Sequence, residues 1–374
     1  MAKEKNTKEE ADKKGDPTVS LLSGYLKANK EDHYGDILEK DFQIPTGSLI
    51  FDIETGGGIR PSILRMSGVS GGGKTSCSLS ILKNFLDEPI GRRGLYVKAE
   101  GRLSREIIER SGVKFVHNPE EWVDGTCYVL KTNIYEVAAN LIHDLVKHNP
   151  NELSFFFIID SMDALFPKGD KDKLFEECGK VSGGATLSSH FLRKMSLPFS
   201  VGGHICSMIS QVRSAISINP YAKADPKQTN ASGGNALNHY PDWTLEFQPR
   251  YKADLMFDKK DNIIGHWAKI IFRKSPNEKD GKEIRYPIKH NQKSGNSVWK
   301  EYEIFDILIA WEMLKKGGAW LTLSDDIHAE LTAVCPEFPK MVQGQEKFIE
   351  TLEANLAATE YLFNKFKKLL AQPV

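Results

Sequence analysis

Cysteine is sparse in this chain of 374 residues, and no two of its five cysteines stand in Cys-x-x-Cys spacing. Cys77, Cys127, Cys178, Cys206 and Cys335 are scattered and odd in number, which excludes a disulfide framework and a cysteine zinc site and suits a reducing compartment. The histidines lack ligand spacing as well, so His190, His204 and His239 read as packing or surface groups. Neither sign of charge dominates. Lysine plus arginine and aspartate plus glutamate each total 50, so any nucleic-acid surface must be local. The longest apolar run, Phe155-Phe156-Phe157-Ile158-Ile159 with its flanks, is far too short to cross a bilayer. The first residues are rich in Lys and Glu rather than apolar, so no secretory leader is expected. These absences predict a soluble cytoplasmic protein with no membrane partner. No internal repeat is visible.

What is present is led by Gly68-Val69-Ser70-Gly71-Gly72-Gly73-Lys74-Thr75, a full Walker A phosphate loop. Glycines permit the backbone conformations and close approach that let bare N–H groups surround a phosphate chain. Lys74 is placed to reach β- and γ-phosphates, and the Thr75 hydroxyl to hold Mg²⁺. Ser76 opens a helical pattern over 76–86 whose N-terminal dipole favours the same anions. The run 63–67 reads as the strand ahead of the loop, so the strand–loop–helix setting is complete.

Around the loop, apolar strand, glycine turn and amphipathic helix recur. Candidate strands are 63–67, 95–99, 127–131, 154–159, 204–210, 243–247, 267–272 and 284–289. Helical patterns at 104–111, 134–148 and 185–197 separate the earlier ones. That alternation predicts an α/β fold with a mostly parallel central sheet, and the closely spaced later strands predict an antiparallel extension. Residues 1–16 carry almost no apolar content, which reads as disorder. Residues 17–30 form a short amphipathic helix with Val19, Leu22 and Leu26 on one side. Beyond 300 the strand signal fades, and 303–315 and 345–370 read as helices. The expected division is an arm with its helix over 1–35, an ATPase core over 36–300 and a small C-terminal lobe over 301–374.

Three strand ends supply further chemistry. The strand 154–159 ends at Asp160, the Walker B arrangement, where a carboxylate completes a Mg²⁺ shell at the edge of an open α/β sheet. The strand 95–99 ends at Glu100, either a solvated acid or the group that orients and deprotonates an attacking water. The strand 204–210 leads to Gln211, which suits contact with a γ-phosphate and transmission of that contact to the next loop. That loop, 212–232, is long and carries Arg213, Lys223, Lys227 and the single aromatic Tyr221 before closing on Ser232-Gly233-Gly234-Asn235. Cations with a stacking ring suit single-stranded nucleic acid; an ordinary solvated loop is the alternative.

With these segments in order, the chain resembles the RecA family of homologous-recombination ATPases. The resemblance also rests on Thr46-Gly47-Ser48-Leu49, Phe51-Asp52-Ile53 and Gly56-Gly57-Gly58 ahead of the loop, and on Ala164-Leu165 with Pro167-Lys168. After the long loop come Gly233-Gly234-Asn235-Ala236-Leu237, and late in the chain Gly318-Ala319-Trp320. It runs from about residue 40 onward. It implies a RecA-like P-loop core with an N-terminal helical arm that packs on a neighbouring protomer. It implies Glu100 as the base that activates water and Gln211 as the sensor between ATP and the second DNA-binding loop. Arg213 belongs to that loop, with Gly233 and Gly234 as its far hinge. Lys180 is the cation of the first DNA-binding loop. Arg273 and Lys274 match the basic pair that reaches the neighbour's ATP, and Ile107 takes the place of the tyrosine against the adenine.

Some positions depart from the bacterial pattern. Lys98 replaces an acid, Phe272 stands where a cation is expected, and Lys365, Lys367 and Lys368 replace an acidic tail. These departures point to a divergent, phage-type recombinase. The resemblance therefore implies ATP and Mg²⁺ as cofactors, single-stranded and duplex DNA as partners, and self-association as a helical filament. The alternatives are a RecA-core hexameric helicase and a non-catalytic recombination accessory protein.

Overall fold

A computed structural model describes residues 16–30, 33–34, 38–88, 90–101, 103–174, 182–211, 236–292 and 297–370. The residues up to Lys40 form one unit and those from Asp41 onward another. In the first, α1 (Pro17–Ala28) starts where the Asp16 carboxylate accepts the Thr18 N–H. Pro17, at the head of the helix, has no N–H to lose there. Val19, Leu21, Leu22 and Tyr25 are exposed on it.

The second unit opens with a helix the sequence reading does not contain, α2 (Leu49–Thr55). Ser48 caps it by accepting the Phe51 N–H, and Gly56 ends it in the left-handed region. Then follow β1 (Ser62–Gly68), α3 (Lys74–Leu86), β2 (Arg92–Lys98), α4 (Arg105–Ser111), the short β3 (Phe115–Val116), β4 (Cys127–Lys131), α5 (Tyr135–Lys147) and β5 (Ser154–Asp160). Next are α6 (Ser182–Gly202), β6 (Ile205–Ile209), α7 (Ala236–His239), β7 (Trp243–Phe247), β8 (Leu255–Phe257), β9 (Ile263–Lys274) and β10 (Glu283–Lys289). All the predicted core strands form, with ends shifted by a few residues.

These strands make one sheet in the order β10-β9-β7-β1-β6-β5-β2-β4-β3, with β8 on β9. From β7 to β3 every pairing is parallel, while β9 runs antiparallel to β7, β8 and β10. This is the expected parallel sheet with an antiparallel extension. The all-apolar run in β5 is explained by its position: it lies between β2 and β6, with helices over both faces. On one face Phe156 and Leu64 pack with Leu82 and Phe85 of α3 and Phe51 of α2. On the other, Phe155, Phe157 and Ile63 pack with Ile142 of α5 and Leu192 and Phe199 of α6. Phe157 and Phe199 are fully buried, so truncating either to Ala costs about 3–5 kcal/mol.

The region past residue 300 corrects the sequence reading. It holds a three-stranded antiparallel sheet of β11 (Leu314–Gly317), β12 (Trp320–Leu323) and β13 (Met341–Gln343). The helix expected over 303–315 is α8 (Lys300–Ala310), which stops before Glu312 turns to a φ of 57° and the chain enters β11. A further helix, α9 (Asp325–Val334), follows β12, and the pattern at 345–370 divides at Asn355 into α10 (Gln345–Ala354) and α11 (Leu356–Leu370). Leu49 of α2 joins the apolar cluster of these elements, so this region shares a core with the head of the unit. Glu303 of α8 seals that contact: it is fully buried, accepts the Leu49 N–H at 2.9 Å and pairs with the Ser48 hydroxyl. Burial raises its pKa to about 8.

Candidate functional site

The segment between β1 and α3 sits against β7. Gly68 has a φ of 137°, and a Cβ there would meet the Phe247 carbonyl oxygen at 2.3 Å, so only glycine fits. Gly73, with a φ of 104°, turns the chain directly into α3, and no side chain caps that helix among the described residues. Its first N–H groups therefore face outward from the loop formed by Ser70, Gly71 and Gly72. Lys74 is buried and donates from Nζ to the Gly68 and Val69 carbonyls at 2.8 Å each. Burial lowers its pKa, while Asp160, Asp163 and Glu100 favour its charged form.

Beside the loop, the strand ends converge as expected for open α/β sheets. The Thr75 hydroxyl donates to Asp160 Oδ2 at 2.9 Å. Glu100 follows β2 and Gln211 follows β6, and Gln211 Nε2 donates to Glu100 Oε1 at 3.2 Å. The Gln211 backbone N–H donates to Asp163 Oδ2 at 2.6 Å. Ser70, Gly71, Lys74, Thr75, Glu100, Asp160 and Gln211 all line one cavity of about 340 Å³.

The cavity continues to an apolar end walled by Ile107, Tyr286, Ile288 and Val298. Ile107, the position the resemblance puts against the adenine, is one of the residues lining this cavity. Arg110, one helical turn further along α4, lines the same end and donates to the Ser76 hydroxyl at 2.9 Å. Arg250 lines the cavity too, and donates to the Gly71 carbonyl at 3.2 Å. His266 shares a hydrogen bond with His290 at 2.8 Å. Burial, with Arg250, His290 and Arg110 nearby, holds His266 down at about 4, so it is neutral near pH 7. Sequence reasoning missed Arg110, Arg250, His266 and also Tyr96, whose hydroxyl donates to Asp160 Oδ2 at 2.6 Å. Only for Arg110 does a sequence signal exist, its spacing of three from Ile107 on a helix.

Arg273 and Lys274 do not join this cavity within the chain. Lys274 Nζ donates to the His239 and Pro241 carbonyls at 2.6 and 2.7 Å, and Arg273 pairs with Glu246. Phe272 is wholly buried against Phe51 and Trp243, which explains why the position before them carries no cation. Lys180, Arg213, Tyr221, Lys223, Lys227, Gly233 and Gly234 lie outside the described residues. His204 is buried and accepts the Phe155 N–H at Nδ1, a packing role as read from the sequence.

A phosphate chain laid on the loop would meet the α3 N-terminus, bare loop N–H groups and Lys74, a fit that anion-binding helix termini share. Mg²⁺ keeps several waters and takes one or two protein oxygens plus phosphates, so Thr75 and Asp160 fit it without a protein cage. Among the described residues no group of three or more His, Cys, Asp or Glu side chains could hold a metal by itself. No helix among them is long and apolar enough to cross a membrane.

Comparison with known proteins agrees with this fold. Residues 33–289 match the family model described as the RecA N-terminal domain. The proteins named RecA from Borrelia duttonii and Bordetella avium are each 26% identical to the chain, over 87% and 89% of it and 80% and 84% of their own lengths. That from Azoarcus sp. is 26% identical over 89% of the chain and 86% of its own length. A mostly parallel α/β sheet carrying a glycine-rich loop between an interior strand and the next helix defines the class. The chain belongs to the RecA family, as a divergent member of it.

Proposed function

We propose that this protein is a Mg²⁺- and DNA-dependent ATPase that assembles on single-stranded DNA as a helical filament, pairs it with homologous duplex and exchanges strands. The observation that carries the reading is the hydrogen bond between Gln211 and Glu100 at the edge of the glycine-loop cavity. A water-activating acid tied to a residue that leads straight into the 212–235 segment links hydrolysis to whatever that segment grips.

In this reading Gly68, Ser70, Gly71, Gly72, Gly73, Lys74 and Ser76 hold the phosphates, Thr75 and Asp160 hold Mg²⁺, and Ile107 lies against the base. Glu100 takes the proton of the attacking water, whose direct general-base contribution is about 10²–10⁴-fold. Arg273 and Lys274 act on the neighbour's ATP, where a cation supplied in trans is worth about 10³–10⁵ in rate. Bound ATP then bridges two protomers, and loss of the γ-phosphate loosens the seam. DNA contacts fall to Lys180, Arg213, Tyr221, Lys223 and Lys227, with Gly233 and Gly234 as the hinge. Residues 1–35 form the polymerising arm, 36–300 the ATPase core and 301–374 the C-terminal lobe.

Electron microscopy of the protein with single-stranded DNA and a slowly hydrolysed ATP analogue tests the reading. Helical filaments support it. Closed hexamers would show a helicase-type ring instead, and absence of any assembly on DNA would reduce the protein to an accessory factor.

A further inference from the structure

Among the described residues that line the glycine-loop cavity, the cations are Lys74, Arg110 and Arg250 and the acids are Glu100 and Asp160. Lys74 sits within the loop, bonded to the Gly68 and Val69 carbonyls. The arginines come from elements that flank it. Arg110 is in the last turn of α4 and donates to the hydroxyl of Ser76, in the first turn of α3, at 2.9 Å. Arg250 follows β7, whose Phe247 lies against Gly68 and Gly72, and it donates to the Gly71 carbonyl at 3.2 Å. One guanidinium therefore stands at the bend of the loop and the other at the start of the helix, with the N–H groups of the intervening residues between them.

Both arginines touch neutral groups. A hydroxyl and a carbonyl are their hydrogen-bond partners among the described residues, and neither forms an ion pair there. The acids of the cavity are met by neutral donors instead, Asp160 by Thr75 and Tyr96 and Glu100 by Gln211. A guanidinium carries several N–H donors in a planar fork that suits two oxygens of one anionic group. One bond to a hydroxyl or a carbonyl leaves most of that capacity unused. Charges of one sign in a cleft with apolar walls focus their field on it, and an anion entering there relieves a cation that lacks a counter-ion. His266 lines the same cavity but is held down at about 4, chiefly by burial, so it adds no positive charge near pH 7. Arg110 shares its helix face with Ile107, which places it between Ser76 and the apolar end of the cavity.

We propose that Arg110 and Arg250 are phosphate-binding residues supplied by the same chain as the loop, each exchanging its neutral partner for oxygens of the nucleotide's polyphosphate. This rests on the ATPase reading and deepens it. A triphosphate carries more negative charge than Lys74 and one Mg²⁺ answer, and the two arginines meet the remainder from either side of the loop. Arg110, beside Ser76 and Ile107, takes the phosphate nearest the nucleoside.

The test is the affinity of the full chain for a fluorescent ATP analogue, with Mg²⁺ and without DNA, over a series of salt concentrations. The melting temperature of the nucleotide-free protein is measured alongside. Arg110→Gln and Arg250→Gln should each weaken binding about tenfold, the usual effect of losing a hydrogen bond to a charged group. Each should also flatten the salt dependence, because one charge contact is gone, and leave the nucleotide-free melting temperature at the wild-type value. Arg110→Lys and Arg250→Lys should recover part of the affinity, since they keep the charge and lose the fork. Wild-type affinity in either glutamine variant would overturn the assignment of that arginine. Weaker binding with an unaltered salt dependence and a lowered melting temperature would show a merely structural pin on the loop, and overturn it too. Should Arg110→Gln fail to fold, Arg110→Lys and Arg250→Gln decide. Wild-type protein that binds no analogue would sink the ATPase reading and this assignment together. Wild-type binding that Lys74→Ala removes and both glutamine variants keep would sink the assignment alone.

Discussion

Tyr96 donates its hydroxyl to Asp160 Oδ2 at 2.6 Å, and the same oxygen takes the Thr75 hydroxyl at 2.9 Å. One carboxylate oxygen thus answers to two donors from two different elements, Tyr96 of β2 and Thr75 in the first turn of α3. Removing the phenol as Tyr96→Phe keeps the ring packed edge-on to Phe115 and deletes one hydrogen bond to an acid proposed as a Mg²⁺ ligand. A hydrogen bond to a charged group is worth about 1.5–3 kcal/mol, so the magnesium needed for half-maximal hydrolysis should shift about tenfold. Magnesium titration at fixed ATP measures this, and an unchanged midpoint would remove Tyr96 from the site.

Lys74 and Glu100 line the same cavity with different expected roles. Lys74→Ala should abolish binding of an ATP analogue, since the loop loses its cation. Glu100→Gln should bind the analogue as wild type does and lose at least about 10²-fold in turnover. Equilibrium binding and hydrolysis on the same preparations separate the two. Wild-type affinity in Lys74→Ala would falsify the phosphate-loop assignment.

Arg273 and Lys274 lie away from their own chain's cavity, which invites a mixing experiment. Lys274→Ala and Glu100→Gln protomers should each be inactive alone. Mixed in equal amounts, they regain activity at about a quarter of the seams, because a head-to-tail contact pairs one subunit's acid with the next one's cation. Absence of recovery in mixed filaments would place the two residues in the same active site or in none.

Buried acids predict how stability varies with pH. Burial raises Glu303 from 4.5 to about 8 and Asp52 from 3.8 to about 7. The folded state then binds more protons than the unfolded chain between these limits, so stability falls as pH rises through that window. Below about 4 the contribution is fully present, and it is lost by about 8. Glu303→Gln should flatten the decline by roughly 1–3 kcal/mol. Urea unfolding at pH 5 and pH 8 measures it, and an unaltered slope in Glu303→Gln would argue against a proton held there.

Much of the α/β unit is legible in sequence because its signals are local. Phe155-Phe156-Phe157-Ile158-Ile159 has no polar face and so must be a covered strand, and it lies in the interior of the sheet between β2 and β6. Gly68 and Gly73 mark a loop that no other residue could trace. Past residue 300 the local signals mislead. Ile307, Trp311 and Leu314 continue the helical spacing of α8, yet no glycine or proline announces the stop at Glu312, and Lys315 and Lys316 give β11 little strand character. Strands of two or three residues, such as β3 and β8, carry too few side chains to declare a period.

The amino-acid order by itself determined the glycine loop, the acids at two strand ends, the glutamine at a third and the family they belong to. Each depends on a handful of neighbouring residues and on backbone chemistry that acts over a few ångströms. Only the tertiary structure decided that Gln211 bonds to Glu100, that Tyr96 reaches Asp160 and that Arg65 donates to the Leu237 carbonyl. Those partners come from strands far apart in the chain, and their meeting depends on sheet order and register, which burial of the apolar faces sets cooperatively.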